Sequence, residues 1–253
     1  MQFTIKSQTI SVNVPTWDAL EARVQERLLD REGFSLATIN LDHLVKLNRY
    51  SEFRDAYALQ DFVVADGNPI VWMSRLANQP VQLIPGSDAI LPLARVAARN
   101  QVSVAFVGST DESLLAAKIF LERRVPGLQV ATCLSPPMGF DPLGPAAERM
   151  LRQVAASGAG LCFVALGAPK QEILSARGRL IAPSVGFASI GAGLDFFAGS
   201  QKRAPEWARR YALEWLWRML SNPRRMTWRY LKCFLILPGQ VVHALSLRSH
   251  NER

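Results

Sequence analysis

Cysteine is scarce in this 253-residue chain. Cys133, Cys162 and Cys233 are the only three, and no CxxC joins them. That excludes a disulfide scaffold and a cysteine zinc cluster, and three unpaired thiols fit a reducing compartment. Histidine is as scarce. His43, His243 and His250 form no HExxH, so no dedicated metal site is expected. There is no GxxxxGK followed by Ser or Thr, which argues against a P-loop nucleotide triphosphatase. Phe196 stands where a dinucleotide fingerprint beginning at Gly191 needs its third glycine. No GxSxG marks a hydrolase elbow. No Asp-x-Asp is present, the pair with which many nucleotide-sugar enzymes hold a divalent metal. Met1 to Gln8 lacks the basic start and apolar stretch of a signal peptide. No apolar run approaches ~20 residues, so no transmembrane helix is expected. The longest late run, Cys233 to Leu237, stops at Pro238-Gly239.

What the chain does have is globular composition, 49% hydrophobic and 20% charged, enough for a sizeable core. Its formal charge of +8 is unevenly placed. Residues 1–201 hold 18 basic and 18 acidic side chains; residues 202–253 hold 11 basic and three acidic, so the whole excess lies in the tail. Four of the six tryptophans lie there too, at Trp207, Trp215, Trp217 and Trp228. Arginine interleaved with tryptophan and leucine suits an anionic, partly apolar surface, because Arg binds phosphate and Trp settles at the headgroup level. Two other readings stay open: a solvated basic helix packed on the body, and RNA binding through stacked aromatics and phosphate contacts. No RNA-binding motif accompanies the patch, so a nucleic-acid partner is not expected.

Short runs rich in Val, Ile and Phe alternate with longer helical patterns. Strands are expected at 35–40, 62–65, 102–107, 129–133, 160–166 and 184–190. Helices are expected at 42–59, 69–77, 87–99, 111–124, 145–157 and 170–180. This alternation predicts an α/β fold, a mostly parallel Rossmann-like sheet with helices on both faces. Phe3 to Ile5 and Ile10 to Val14 suit a small hairpin before it. Beyond Ala204 the pattern turns helical and basic, and Pro223 and Pro238 should punctuate it into short helices. The division reads as a body, residues 1–201, and an appendage, residues 202–253.

Ligands of open α/β sheets bind beyond the carboxyl ends of the strands. Polar and glycine residues gather there. Asp66 follows the run Phe62 to Ala65 and precedes Gly67. A partly desolvated carboxylate so placed can serve as a general base; equally, it can cap a helix beginning near Pro69. Thr38 and Asn40 share one strand face and fit either a sugar or phosphate contact or local backbone satisfaction. Gln171 and Glu172 open a helix whose free N–H groups favour an anion, or they are ordinary helix-start residues. Gly86-Ser87-Asp88, Gly108 and Gly191 to Asp195 complete the set. Without a metal pair, a transferase here would need Arg, Lys or helix dipoles to meet a leaving diphosphate.

These residues, in order, resemble the WecG/TagA/CpsF glycosyltransferases of bacterial cell-surface polysaccharide synthesis, from about Phe34 to Leu237. The motifs are Thr38-x-Asn40 with a following Asp-His, Asp66-Gly67, Gly86-Ser87-Asp88, Gly108 and Gly167 to Glu172. Then come Gly191-x-Gly193-x-Asp195 and Arg203-Ala204-Pro205-x-Trp207, running on into Glu214-Trp215-x-x-Arg218 and Pro223-x-Arg225.

The resemblance implies an inverting, metal-independent transfer of a hexose-type sugar from a UDP-sugar to a polyprenyl-diphosphate-linked sugar, with no cofactor. It places the general base on Asp66 and donor-pocket contacts on Thr38, Asn40 and Gln171; Ser87, Asp88, Gly108, Lys170, Glu172 and Asp195 are further candidate substrate contacts. It places membrane or diphosphate contacts on Arg203, Arg218 and Arg225, and the protein on the cytoplasmic face of the plasma membrane as a peripheral protein. Leu83 stands where many members carry Arg, and Asn68-Pro69 where many have a second Gly. Pro136 to Phe140 looks more like the exopolysaccharide-type members. A non-catalytic UDP-sugar-binding scaffold is the alternative.

Overall fold

The computed structural model describes residues 1–201 and 204–251. The hairpin strands β1 (Gln2–Ile5) and β2 (Gln8–Ser11) come first, antiparallel, with Phe3 opposite Ile10. Then follow α1 (Trp17–Leu29), β3 (Ser35–Ile39), α2 (Leu41–Arg49), α3 (Ser51–Ala58), β4 (Phe62–Ala65), α4 (Asn68–Leu76) and α5 (Gly86–Arg99). The second half holds β5 (Val104–Gly108), α6 (Asp111–Arg124), β6 (Val130–Leu134), α7 (Pro145–Ala156), β7 (Leu161–Ala165), α8 (Lys170–Ile181), β8 (Gly186–Ser189) and α9 (Gly193–Ala198). The appendage is α10 (Glu206–Arg210), α11 (Glu214–Ser221) and α12 (Pro223–Asn251).

The six-stranded sheet runs β4–β3–β8–β7–β5–β6, every pair parallel. Strands β3, β4, β5, β7 and β8 are buried along their whole length. This is why β4, β5 and β7 read as unbroken apolar runs rather than alternating ones, while β3 and β8 also bury Ser35, Thr38 and Ser189. Leu36, Val64, Phe106 and Phe163 pack under α1, α5 and α6, while Ala37, Val63, Cys162 and Val164 face the helices of the other side. From β3 the chain steps outward to β4; from β5 it steps outward the other way to β6. Strands β7 and β8 then fill the gap, so the winding reverses between the two halves of the sheet, and open α/β sheets bind ligands at the carboxyl edge of such a reversal.

The expected helix over 42–59 is two helices. Tyr50 adopts extended backbone (φ −109°, ψ 116°) between α2 and α3. Arg54 donates to the Leu47 carbonyl at 2.7 Å and covers one acceptor that the break frees. Helix α1 is absent from the sequence-based expectations above. Thr16 caps it, accepting from the Ala19 N–H at 3.1 Å, and Leu20, Val24 and Leu28 bury one stripe.

The appendage corrects a second expectation. Pro223 does begin a new helix, but Pro238 does not end it: α12 runs unbroken to Asn251. An interior proline costs about 3 kcal/mol through its lost hydrogen bond and ring clash. Tertiary packing outweighs it here. Ala244 is fully buried, and Ile236, Leu237 and Leu247 pack beside it against the α2–α4 core. Met226–Ser249 is consequently long and apolar enough to cross a membrane, by length and composition alone. That too departs from the expectation drawn from short runs. The side turned from the body leaves Leu231, Phe234, Leu235, Val242 and Leu245 exposed.

Candidate active site at the carboxyl edge of the sheet

Strand β4 ends in Asp66, whose backbone N–H donates to the Ile39 carbonyl at 2.8 Å. Gly67, at φ +99°, takes the cap position of α4 with no side-chain hydrogen bond. Asp66 is therefore not a helix cap. Its carboxylate accepts from Asn40 Nδ2 at 3.1 Å. Asn40 also caps α2, its Oδ1 accepting from the His43 N–H at 3.0 Å. The end of β3 thus fixes the acid at the end of β4. Burial pushes the Asp66 carboxyl above the usual range; the Asn40 hydrogen bond and the Arg218 and Arg229 charges pull it back only in part. A carboxylate whose basicity is raised by burial is equipped to take a proton.

Thr38 is buried on the same strand. Its carbonyl accepts from the Tyr57 hydroxyl at 2.5 Å and lies 2.7 Å from His43 Nδ1. Burial lowers His43 to about 4, so its ring is neutral.

The other strand ends are cross-tied. Gln171 Oε1 accepts from the N–H of Gly167 at 3.1 Å and of Gly191 at 3.0 Å, which joins the turns after β7 and β8. Its amide donates to Glu172 Oε1 at 2.8 Å. Gln171 is only 2% exposed, so it shapes the edge from beneath the surface. Lys170 Nζ donates to the Phe140 carbonyl at 2.7 Å and anchors the loop after β6. Gly108, at φ +123°, brings β5 against β7: a Cβ there would lie 2.3 Å from the Ala165 carbonyl oxygen, so only glycine fits. Next to it, Ser109 donates to Asp195 Oδ1, and Gln201 donates to Oδ2 at 2.9 Å. Ser87 and Asp88 lie in the first turn of α5, with the Ser87 Cα 3.1 Å from where a Gly193 Cβ would stand.

Of the arginines singled out, Arg218 on α11 pairs with Glu214 and contributes to the field at Asp66. Arg203 and the Arg225 side chain lie outside the described residues. Among the described residues no group of three or more His, Cys, Asp or Glu is placed to hold a metal.

The profile of the family described as "Glycosyl transferase WecG/TagA/CpsF family" matches residues 5–250. The chain belongs to that family. The match takes in β2 of the hairpin and nearly all of α12, more than the motifs alone covered. The chain is 32% identical over 216 residues to an "N-acetylglucosaminyldiphosphoundecaprenol N-acetyl-beta-D-mannosaminyltransferase" of Bacillus spizizenii (strain ATCC 23059 / NRRL B-14472 / W23), covering 85% of this chain and 79% of that protein. A protein of the same description from Bacillus subtilis (strain 168) is 27% identical over 226 residues, covering 88% and 83%.

This WecG/TagA/CpsF-family glycosyltransferase carries a buried acid in the first turn of α8. Glu172 is fully buried and Oε2 has no partner among the described residues. Burial raises its carboxyl to about 7, against the Gln171 hydrogen bond and the Lys46 charge. The unfolded chain ionises near 4.5, so the folded protein holds the extra proton between those values. Stability from Glu172 is present below about 4.5 and lost as pH rises through about 7. His43 acts oppositely: its folded value of about 4 is below the unfolded one, so its contribution grows with pH over about 4 to 6.5. Comparing Glu172→Gln with the parent cancels the histidine. The melting temperature of the parent relative to Glu172→Gln should fall from pH 4.5 to 7. Parallel melting curves across that range would contradict the assignment.

Sequence reasoning missed Ser109, Tyr57, Lys46 and Arg229. Ser109 sits at φ +53°, conformationally unusual for a serine and invisible in the sequence. Lys46 is singled out by no motif, and Arg229 counts only among the basic residues of the tail. Only the Asp-His pair after Asn40 hinted at the cluster they join.

Proposed function

We propose that this glycosyltransferase moves a hexose-type sugar from a UDP-sugar to a polyprenyl-diphosphate-linked sugar, with inversion and without a metal. The observation that carries the reading is Asp66, set at the end of β4 and held by Asn40, with its basicity raised by burial and within the field of Arg218 and Arg229. Asp66 accepts the proton of the acceptor hydroxyl as that oxygen bonds to the donor's anomeric carbon. The bond from that carbon to the diphosphate oxygen breaks, its electron pair leaves with UDP, and the single displacement inverts the centre. Arginine stabilises the departing charge, which suits a chain without Asp-x-Asp. The relatives named above act on N-acetylglucosaminyldiphosphoundecaprenol; that supports a lipid-linked acceptor.

In this reading residues 1–201 are the catalytic body and the rest is an appendage that lies on the cytoplasmic face of the plasma membrane. The exposed stripe of α12, with Trp207, Tyr211 and Trp228 exposed nearby, supports an in-plane pose in which the apolar face enters the headgroup boundary. The inner stripe of the same helix is already taken by the body.

The anomeric configuration of the product, read by proton NMR, tests the mechanism. An α-linked UDP-sugar should give a β-linked product. An α-linked product would exclude single displacement by Asp66.

A further inference from the structure

We propose that Asp42 is a positioning residue that couples the seating of α12 to the shape of the Gly167–Gln171 turn. This rests on the transferase reading above and adds a link between its two parts. Asp42 stands in the first turn of α2, two residues after the Asn40 that holds Asp66. One oxygen, Oδ2, meets two cations: Arg229 Nη2 of α12 at 2.9 Å and Lys46 Nζ at 2.8 Å. Lys46 Nζ also donates to the Ala168 carbonyl at 3.0 Å. Ala168 lies in the turn that Gln171 ties to Gly191. A continuous polar line therefore runs from the appendage through Asp42 and Lys46 to the ends of β7 and β8.

The physical need for such a link is register. The remaining α12 contacts with the body include Ile236, Leu237, Ala244 and Leu247, and apolar burial is non-directional. Such a seam tolerates sliding. Arg229–Asp42 is an ion pair that ties α12 to the body at a defined position. The acid is well chosen, being buried. Burial alone would raise its carboxyl, yet Arg229 and Lys46 together hold it below the usual range. Withdrawing Arg229 leaves a buried carboxylate neutralised by Lys46 alone, which is costly. Lys46 is then drawn toward Asp42 and away from Ala168. An unseated helix thus loosens the active edge and slows transfer.

The test uses the full-length chain in liposomes, with Arg229→Gln, Asp42→Asn, the double variant and Arg229→Lys. Each neutralising single variant should slow acceptor-dependent UDP release about tenfold, and the double variant should be no slower than the worse single one, as for residues acting as one unit. Arg229→Lys, which keeps the charge, should recover most of the rate. Amide hydrogen exchange supplies a readout that helix docking alone would not move. In Arg229→Gln, exchange should rise in the segment spanning Gly167–Gln171 as well as in α12. Arg99→Gln, which breaks the exposed Arg99–Glu21 pair, should change neither readout. Additive losses in the double variant, or faster exchange in α12 with an unchanged turn, would overturn the coupling. If the parent protein transfers no sugar, the transferase reading fails while the exchange experiment still decides the coupling.

Discussion

Asp66→Asn is expected to lower turnover by about a hundredfold to ten-thousandfold, the usual worth of a general base. The substitution keeps shape. An asparagine there can still accept from Asn40 Nδ2 through its own carbonyl oxygen, so the β3–β4 edge should hold its geometry. It also leaves Gln171, Lys170 and Asp195 tied as they are. UDP binding should therefore persist while transfer is lost, a fall in kcat rather than a rise in the donor KM. The same account sets the acid limb of the parent enzyme. Asp66 must be unprotonated to act, and burial raises its pKa. Activity should thus decline on acidification at a pH above the ordinary aspartate range. Near-normal turnover of Asp66→Asn would remove Asp66 from the mechanism.

Removing the chain after Gly199 should abolish binding to anionic liposomes and, with it, transfer to a lipid-linked acceptor. The truncation deletes eleven basic side chains against three acidic ones and the exposed stripe of α12. It also bares the α2–α4 surface under Ile236, Leu237 and Leu247, so the shortened body is liable to aggregate. A gentler variant separates the two effects. Leu235→Asp with Val242→Asp places charges on positions that are 72% and 67% exposed; exposed substitutions of this kind cost little stability. Charges on the apolar face oppose insertion into the headgroup boundary, so liposome binding should fall at least tenfold with the fold intact. High salt should weaken the parent's binding, because phosphate contacts are screened. Undiminished flotation of the double aspartate variant with anionic vesicles would contradict the in-plane pose.

The body was legible because burial writes itself into sequence. Strands covered on both faces are mostly apolar, and Phe62 to Ala65 or Leu161 to Ala165 admit few other readings. Asp66 stood out for the same reason, as a carboxylate set directly after such a run. Local breaks were less visible. Nothing in the sequence around Tyr50 announces extended backbone, and the contacts that favour the break lie elsewhere in the fold. Pro238 misled because its local cost is real, while the packing that offsets it comes from helices distant in sequence. Gln171 was placed at the right edge, but its part in stapling Gly167 to Gly191 needs the turns after two strands to be brought together. Arg229 and Asp42 likewise meet only through the docking of α12.

The most direct test of the account is UDP release from a panel of UDP-sugars, measured with and without a polyprenyl-diphosphate-linked sugar in liposomes. The account predicts release from one donor, dependent on the acceptor and largely lost in Asp66→Asn. The absence of release from every donor, by a folded protein that still binds UDP and is supplied with N-acetylglucosaminyldiphosphoundecaprenol, would contradict it and favour a non-catalytic UDP-sugar-binding scaffold.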